Sequence, residues 1–151
     1  MHLETILARL GVPYPALTTP GGNYVAVNIR GGIAYAAIQF PILNGQKMYQ
    51  GRMGGEVSTA EGYQALQLCT ANVLVHLAHT PGLDQIAGVN HIEVYYQAAG
   101  DWDEGPKIAD GASDVLVAVL GDRGRHTRSL MGVAQLPRNF AVGLVVSCTL
   151  R

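Results

Sequence analysis

The chain has 151 residues, long enough to bury a core of its own without disulfide or metal staples. Lys and Arg number 10 against 11 Asp and Glu, a formal charge of -1 that excludes a global field drawing in nucleic acid or an anionic membrane. Charged residues make up only 14% and apolar ones 48%, so part of the exterior is expected to be covered by further copies of the chain.

Leu3, Ile6, Leu7 and Leu10 recur at helical spacing until Gly11 and Pro13 stop them, which predicts a short N-terminal helix. With the linker that follows, residues 1–20 form an extension on a single domain covering 1–151. NYVAVNIRG and IAYAAIQFPI read as two strands joined by a tight turn at Gly31-Gly32, and a third strand is expected in QKMYQGRM. Ser58 and Glu61 form a capping box, in which each side chain satisfies an orphan backbone N–H at the start of a long helix. Leu66, Cys69, Val73 and Leu77 give that helix its apolar face, and Pro81-Gly82 ends it.

IAGVNHIEVYYQAA alternates as a strand and DWDEGP reads as a loop. KIADGASDVLVAVLGDRG is a second long helix with Asp110 or Ser113 as its N-cap, and SLMGVAQLP and FAVGLVVSCTL are two closing strands. This order predicts an α+β sandwich: one mixed sheet with both long helices on a single face, plus the short N-terminal helix. The cysteines, Cys69 and Cys148, have no CxxC spacing and read as buried thiols. No run is apolar enough for a membrane span and the N-terminus lacks signal-peptide features, so a cytoplasmic location is expected.

GNYVAV, GGIAYAAIQFPI, GRMGGEVSTAEGYQALQLCTANVL and RSLMGVAQLP resemble the Rid (YjgF-type) family, which carries the endoribonuclease L-PSP label and a chorismate mutase-like fold. The likeness covers about residues 20–150, and the N-terminal helix with PKIADGASDVLVAVLGDRGRHTRS resembles a bacterial subgroup. It implies a homotrimer with a ligand cleft at each subunit interface; separately, no cofactor is expected. In the deaminase members an Arg ahead of the penultimate strand pairs with the substrate carboxylate, and Arg128 matches it. Tyr24 matches a cleft Tyr of the first strand, Gln39 lies in the Gln-x-Pro motif, and Asp110 stands near a cleft Asn of the relatives. Two positions depart from the pattern: Ala37-Ile38 replace a Ser-Gly pair, and Val145 replaces a Glu that serves the hydrolytic water.

An Arg fork fits a carboxylate as Lys cannot, which favours Arg128 as a clamp; its structural alternative is an interface salt bridge to Glu56 or Asp114. His126, two residues away, shares its face if the segment is extended, and could replace the absent Glu as acid or base; the alternative is a solvated loop histidine. Arg123 and Arg125 read as surface partners of Asp122, and Asp110 reads equally as a helix cap. Tyr35, Tyr95 and Tyr96 fit either a cleft wall or core. Asp101, Asp103 and Glu104 lack the spacing of a calcium loop, and His76 and His79 lack a third ligand, so no metal site is assigned.

Three functions remain open on this reading. The first is a trimer that binds a small carboxylate-bearing enamine, imine or 2-oxo acid, with hydrolytic deamination by an altered catalytic shell. The second is a non-catalytic ligand-binding or regulatory trimer. The third is an endoribonuclease, disfavoured by the slight net negative charge because RNA binding leans on a basic groove.

Overall fold

The computed structural model describes residues 2–151. The chain runs α1 (Leu3–Arg9), β1 (Val27–Arg30), β2 (Ile33–Gln39), β3 (Ile42–Leu43), β4 (Gln46–Lys47), α2 (Thr59–His79), β5 (Ile86–Gln97), α3 (Gly105–Leu120), β6 (Thr127–Val133) and β7 (Val142–Leu150). Five strands form one sheet in the order β1-β2-β7-β5-β6. Neighbours are antiparallel except β5 and β6, which run parallel because α3 carries the chain back to the start of the sheet. The sheet is therefore mixed, as the element order predicts.

Alternation along the strands separates two faces. Ala34, Ala36, Ile92, Val94, Leu144, Val146 and Cys148 are buried together with the inner sides of α2 and α3, whereas Tyr35, on the other face, is 51% exposed. Both long helices cover the first face. The Ser58–Glu61 capping box is formed in both directions, and a cap of this kind is worth about 1 kcal/mol. Behind it, Leu66, Cys69, Val73 and Leu77 are buried as their spacing predicts. α3 lies against α2 at Gly111, where an added Cβ would stand 2.2 Å from the Tyr63 carbonyl oxygen. A larger residue would push the two backbones apart.

Two sequence expectations are corrected. QKMYQGRM contributes no strand to the main sheet. Gln46 and Lys47 pair only with Leu43 and Ile42, across a turn in which Asn44 and Gly45 both have positive φ, at 51° and 84°. That is the mirror-image turn favoured by an Asn-Gly pair, and positive φ at Tyr49 and Gly51 then bends the segment away from any longer ladder. The second long helix starts at Gly105, with Pro106 in its first turn, where a missing N–H costs nothing. Asp110 and Ser113 are consequently inside α3, not its cap.

α1 is anchored by buried Leu3 and Leu7, and Val12 follows it into the core. Residues beyond it reach β1 without regular secondary structure, through a bend at residues 21–24. Among the described residues, no helix is long and apolar enough to cross a membrane.

Candidate functional site

β6 is an edge strand, and Arg128 pairs with buried Ile92 of β5. Its side chain therefore rises on the helix-bearing face, beneath α3. Nη1 donates to Asp110 Oδ1 at 2.7 Å and to Ser113 Oγ at 3.1 Å, and Nη2 donates to the Pro106 carbonyl at 3.4 Å. Asp110 and Ser113 are i and i+3 on one helix face, so both reach the same cation. Within the chain, the carboxylate partner of Arg128 is Asp110.

The side chains of Arg128 and Asp110 are 26% and 54% exposed, and half-exposed pairs contribute about 0–1 kcal/mol. The contact does more for orientation than for stability. An Arg carries five N–H donors; with Nη1 fully engaged, Nε–H and one Nη2–H are left, donors able to grip a carboxylate side-on.

His126 stands just before β6, with Nδ1 at 2.6 Å from the Gly124 carbonyl and Nε2 at 2.9 Å from Ser113 Oγ. A carbonyl only accepts, so Nδ1 carries the proton and Nε2 is left to accept from the Ser113 hydroxyl. The Ser113 oxygen in turn accepts from Arg128. The result is a continuous run from Arg128 through Ser113 and His126 to the Gly124 carbonyl, in which His126 meets the guanidinium only by way of Ser113.

Tyr24 and Gln39 lie at the other end of the sheet. Tyr24 is in the bend ahead of β1, not within the first strand, because the turn-rich Gly21-Gly22 delays the ladder until Val27. Its hydroxyl accepts from the Gly21 N–H, and the residue is half exposed. Both residues line a cleft of about 750 Å³ with Leu17, Ile38, Phe40 and Phe140. One wall is the linker after α1, held where the Ala16 N–H donates to Asn44 Oδ1 and where Thr18 Oγ1 meets Gln39 Oε1 at 2.7 Å and His76 Nε2 at 2.8 Å. The floor is fixed from α2: Asn72 Nδ2 donates to the carbonyls of Phe40 and Ile42, while its own buried Oδ1 has no partner among the described residues. His76, one turn further, is only 8% exposed. Burial pushes its pKa down, and nearby His79 adds to the effect.

The structure thus gathers Arg128, Asp110 and His126 at one sheet edge and Tyr24 and Gln39 near the opposite one. Val145 faces the helix-free side, paired with Glu93. Sequence reading missed Ser113 as a shared partner, and it missed the Thr18–His76 support of Gln39. The i,i+3 spacing from Asp110 could have revealed the former; nothing local announces Thr18. Arg125 does pair with Asp122, but Arg123 instead donates to the carbonyls of Leu83 and Ile86, tying the end of α3 to β5. Tyr96 packs edge-on against Trp102, and Tyr95 donates to Glu93 on the helix-free face. Glu104 pairs with Lys107 and accepts from Thr59, and these contacts hold its carboxyl below the usual range.

The family model described as YjgF/chorismate mutase-like, putative endoribonuclease, matches residues 4–148. The chain belongs to this family. Among curated relatives, Protein TCP17 of Trypanosoma cruzi is 33% identical over 138 residues, covering 90% of this chain and 86% of that protein. A structure from Shewanella oneidensis, described as a putative endoribonuclease, is 31% identical with a TM-score of 0.93, covering 99% of this chain and 100% of that one. Protein Atu1372 of Agrobacterium tumefaciens, described as of unknown function, is 29% identical with a TM-score of 0.88, covering 98% of this chain and 91% of the other. The chorismate mutase-like architecture expected from the sequence is the one found, and the N-terminal helix lies within the matched lengths.

Proposed function

We propose that this YjgF-family chain forms a homotrimer whose subunit interfaces complete a site for a small carboxylate-bearing 2-oxo acid or imine. In this reading Arg128 at the β6 edge of one copy takes the carboxylate, while Tyr24 and Gln39 of the neighbouring copy enclose the remainder. The observation that carries it is Arg128 itself: a guanidinium fixed by Asp110 and Ser113 with side-on donors unused. Burial between copies is supported by the low charged fraction of 14% and by the exposure of Tyr24, Val25, Ile29 and Tyr35 around β1 and β2.

The chemistry available to such a site is hydrolysis of an imine. Water adds to the C=N carbon, the nitrogen takes a proton, and the resulting carbinolamine expels ammonia to leave the ketone. Arg128 holds the acid in place, and Asp110 in turn fixes the orientation of Arg128. His126 reaches the attacking water only through Ser113, whose hydroxyl passes its proton to Nε2 as it takes one from the water. A ligand-binding trimer without turnover is the second reading, favoured by the apolar Ala37 and Val145 at positions where deaminases are polar. RNA cleavage, suggested by names in the family, has against it the net charge of -1.

Calorimetric titration with pyruvate tests the anchor: binding by the wild type that is lost in Arg128→Ala supports it, and equal binding by both proteins removes Arg128 from the site. Ammonia release from freshly generated 2-iminopropionate tests turnover. A rate no greater than buffer, from protein that binds pyruvate, leaves the binding function and eliminates the deaminase.

A further inference from the structure

A pyruvate-sized acid fills only a small part of a cleft of about 750 Å³, a volume in the range that encloses much larger ligands. Its walls are mostly apolar. Leu17, Ile38 and Ile42 join Phe40 and Phe140, whose rings are stacked 4.9 Å apart at 9°. Lys47 and Arg138 stand on the same cleft, and among the described residues neither forms an ion pair. Lining of this kind is suited to an anion with a broad apolar body.

The polar end of the cleft has a direction built into it. The Thr18 hydroxyl has one hydrogen and gives it to Gln39 Oε1, so His76 Nε2 must be the donor to Thr18 Oγ1. The chain of donors runs from His76 through Thr18 to the Gln39 oxygen. This fixes the amide: Oε1 is held by the linker, and the Nε2 hydrogens are the side left for a ligand acceptor. Without Thr18 the amide could rotate and present its oxygen instead.

We propose that this cleft is a specificity pocket for the aromatic side group of a 2-oxo acid, or of the corresponding imine. Thr18 and His76 act as positioning residues that aim the Gln39 amide hydrogens at the ligand's oxygen. Lys47 and Arg138 lend the cleft a positive potential that favours anions over neutral aromatics. The proposal rests on the reading of Arg128 as carboxylate anchor and extends it from the acid group, common to all 2-oxo acids, to the side group that distinguishes them.

The test compares phenylpyruvate with pyruvate by calorimetry on the wild type, Thr18→Val, Thr18→Ser, His76→Gln and Leu17→Asp. Phenylpyruvate is expected to bind at least about tenfold tighter than pyruvate, since burying a phenyl ring adds apolar contact at unchanged charge. Leu17 is 46% exposed, so Leu17→Asp leaves the fold intact; its charge repels both acids alike, and loss of the apolar wall is expected to weaken phenylpyruvate further and so erase most of the preference. Thr18→Val is expected to weaken both acids by about fivefold, with Thr18→Ser restoring them. His76→Gln, which keeps a donor, is expected to behave as Thr18→Ser does. Equal affinities for the two acids, in protein whose binding still needs Arg128, overturn the pocket and leave the anchor standing. Failure of Thr18→Ser to rescue a folded Thr18→Val protein overturns the positioning role. No binding of either acid by folded wild type overturns both readings.

Discussion

Replacing Asp110 by Asn alters charge with little change in shape, and the sign of its effect is set by the geometry around Arg128. The Asn oxygen can still accept from Nη1, so the guanidinium keeps its orientation; what disappears is a negative charge 2.7 Å from one side of it. A ligand carboxylate on the remaining donors lies across the guanidinium from Asp110, at about 6 Å, where two unit charges repel by about 0.7 kcal/mol in water and about 2.8 kcal/mol at a protein surface. Asp110 is 54% exposed, which places the value near the lower end, about 1 kcal/mol or about fivefold in affinity. Asp110→Asn is therefore expected to bind pyruvate about fivefold tighter at low salt, with the gain shrinking as salt screens it. Stability should change by less than about 1 kcal/mol, the usual reach of an exposed pair. Calorimetry over a series of salt concentrations reads both quantities. Weaker pyruvate binding in a folded Asp110→Asn protein would refute the argument, because it would mean the acid group sits elsewhere than on the free side of Arg128.

Three further outcomes follow from the fold and the buried groups. Gly111→Ala is expected to destabilise the protein by about 2 kcal/mol in urea unfolding despite better helix propensity, since its methyl would meet the Tyr63 carbonyl oxygen at 2.2 Å; increased stability would show that α2 and α3 separate freely. Because the folded pKa of His76 lies below the ordinary 6.5, the unfolded chain takes up that proton first as pH falls. Stability is whole above about pH 6.5 and is lost as the pH drops through the folded value, so thermal melts from about pH 7.5 to about pH 5.5 should decline more in the wild type than in His76→Gln, and parallel declines would remove His76 as a source. Burial raises the thiol of Cys69 well above its ordinary value and that of Cys148 to about 11, so neither should react with a disulfide reagent in native protein at pH 8 and both should react in urea.

The elements with strong local signals were legible in the sequence. The Ser58–Glu61 box and the spacing of Leu66, Cys69, Val73 and Leu77 define α2, and Gly31-Gly32 makes a tight turn with positive φ at both residues. β3 and β4 were obscured because strand length was read from composition, whereas Asn44-Gly45 and the positive φ at Tyr49 and Gly51 decide where the chain bends. The start of α3 carries no polar cap, and Pro106 marks its first turn instead. Ser113 therefore lies two turns inside the helix, as a rung facing β6 and not as a cap. Arg128 could be singled out by family likeness alone, but its partner could not, because Asp110 meets it through the packing of α3 on the sheet. Thr18, Gln39 and His76 come from a linker, a strand end and a helix, and no periodicity in the chain joins them.

Sharing of one ligand site between two copies of the chain can be read by complementation. Arg128→Ala and a second variant carrying Tyr24→Ala with Gln39→Leu are each expected to fail to bind pyruvate. Co-expressed and assembled together, they place an intact Arg128 edge beside an intact cleft at a fraction of the interfaces. Pyruvate binding is expected to return in mixed oligomers identified by native mass spectrometry. Mixed oligomers that assemble and still bind nothing would show that no site is shared between copies.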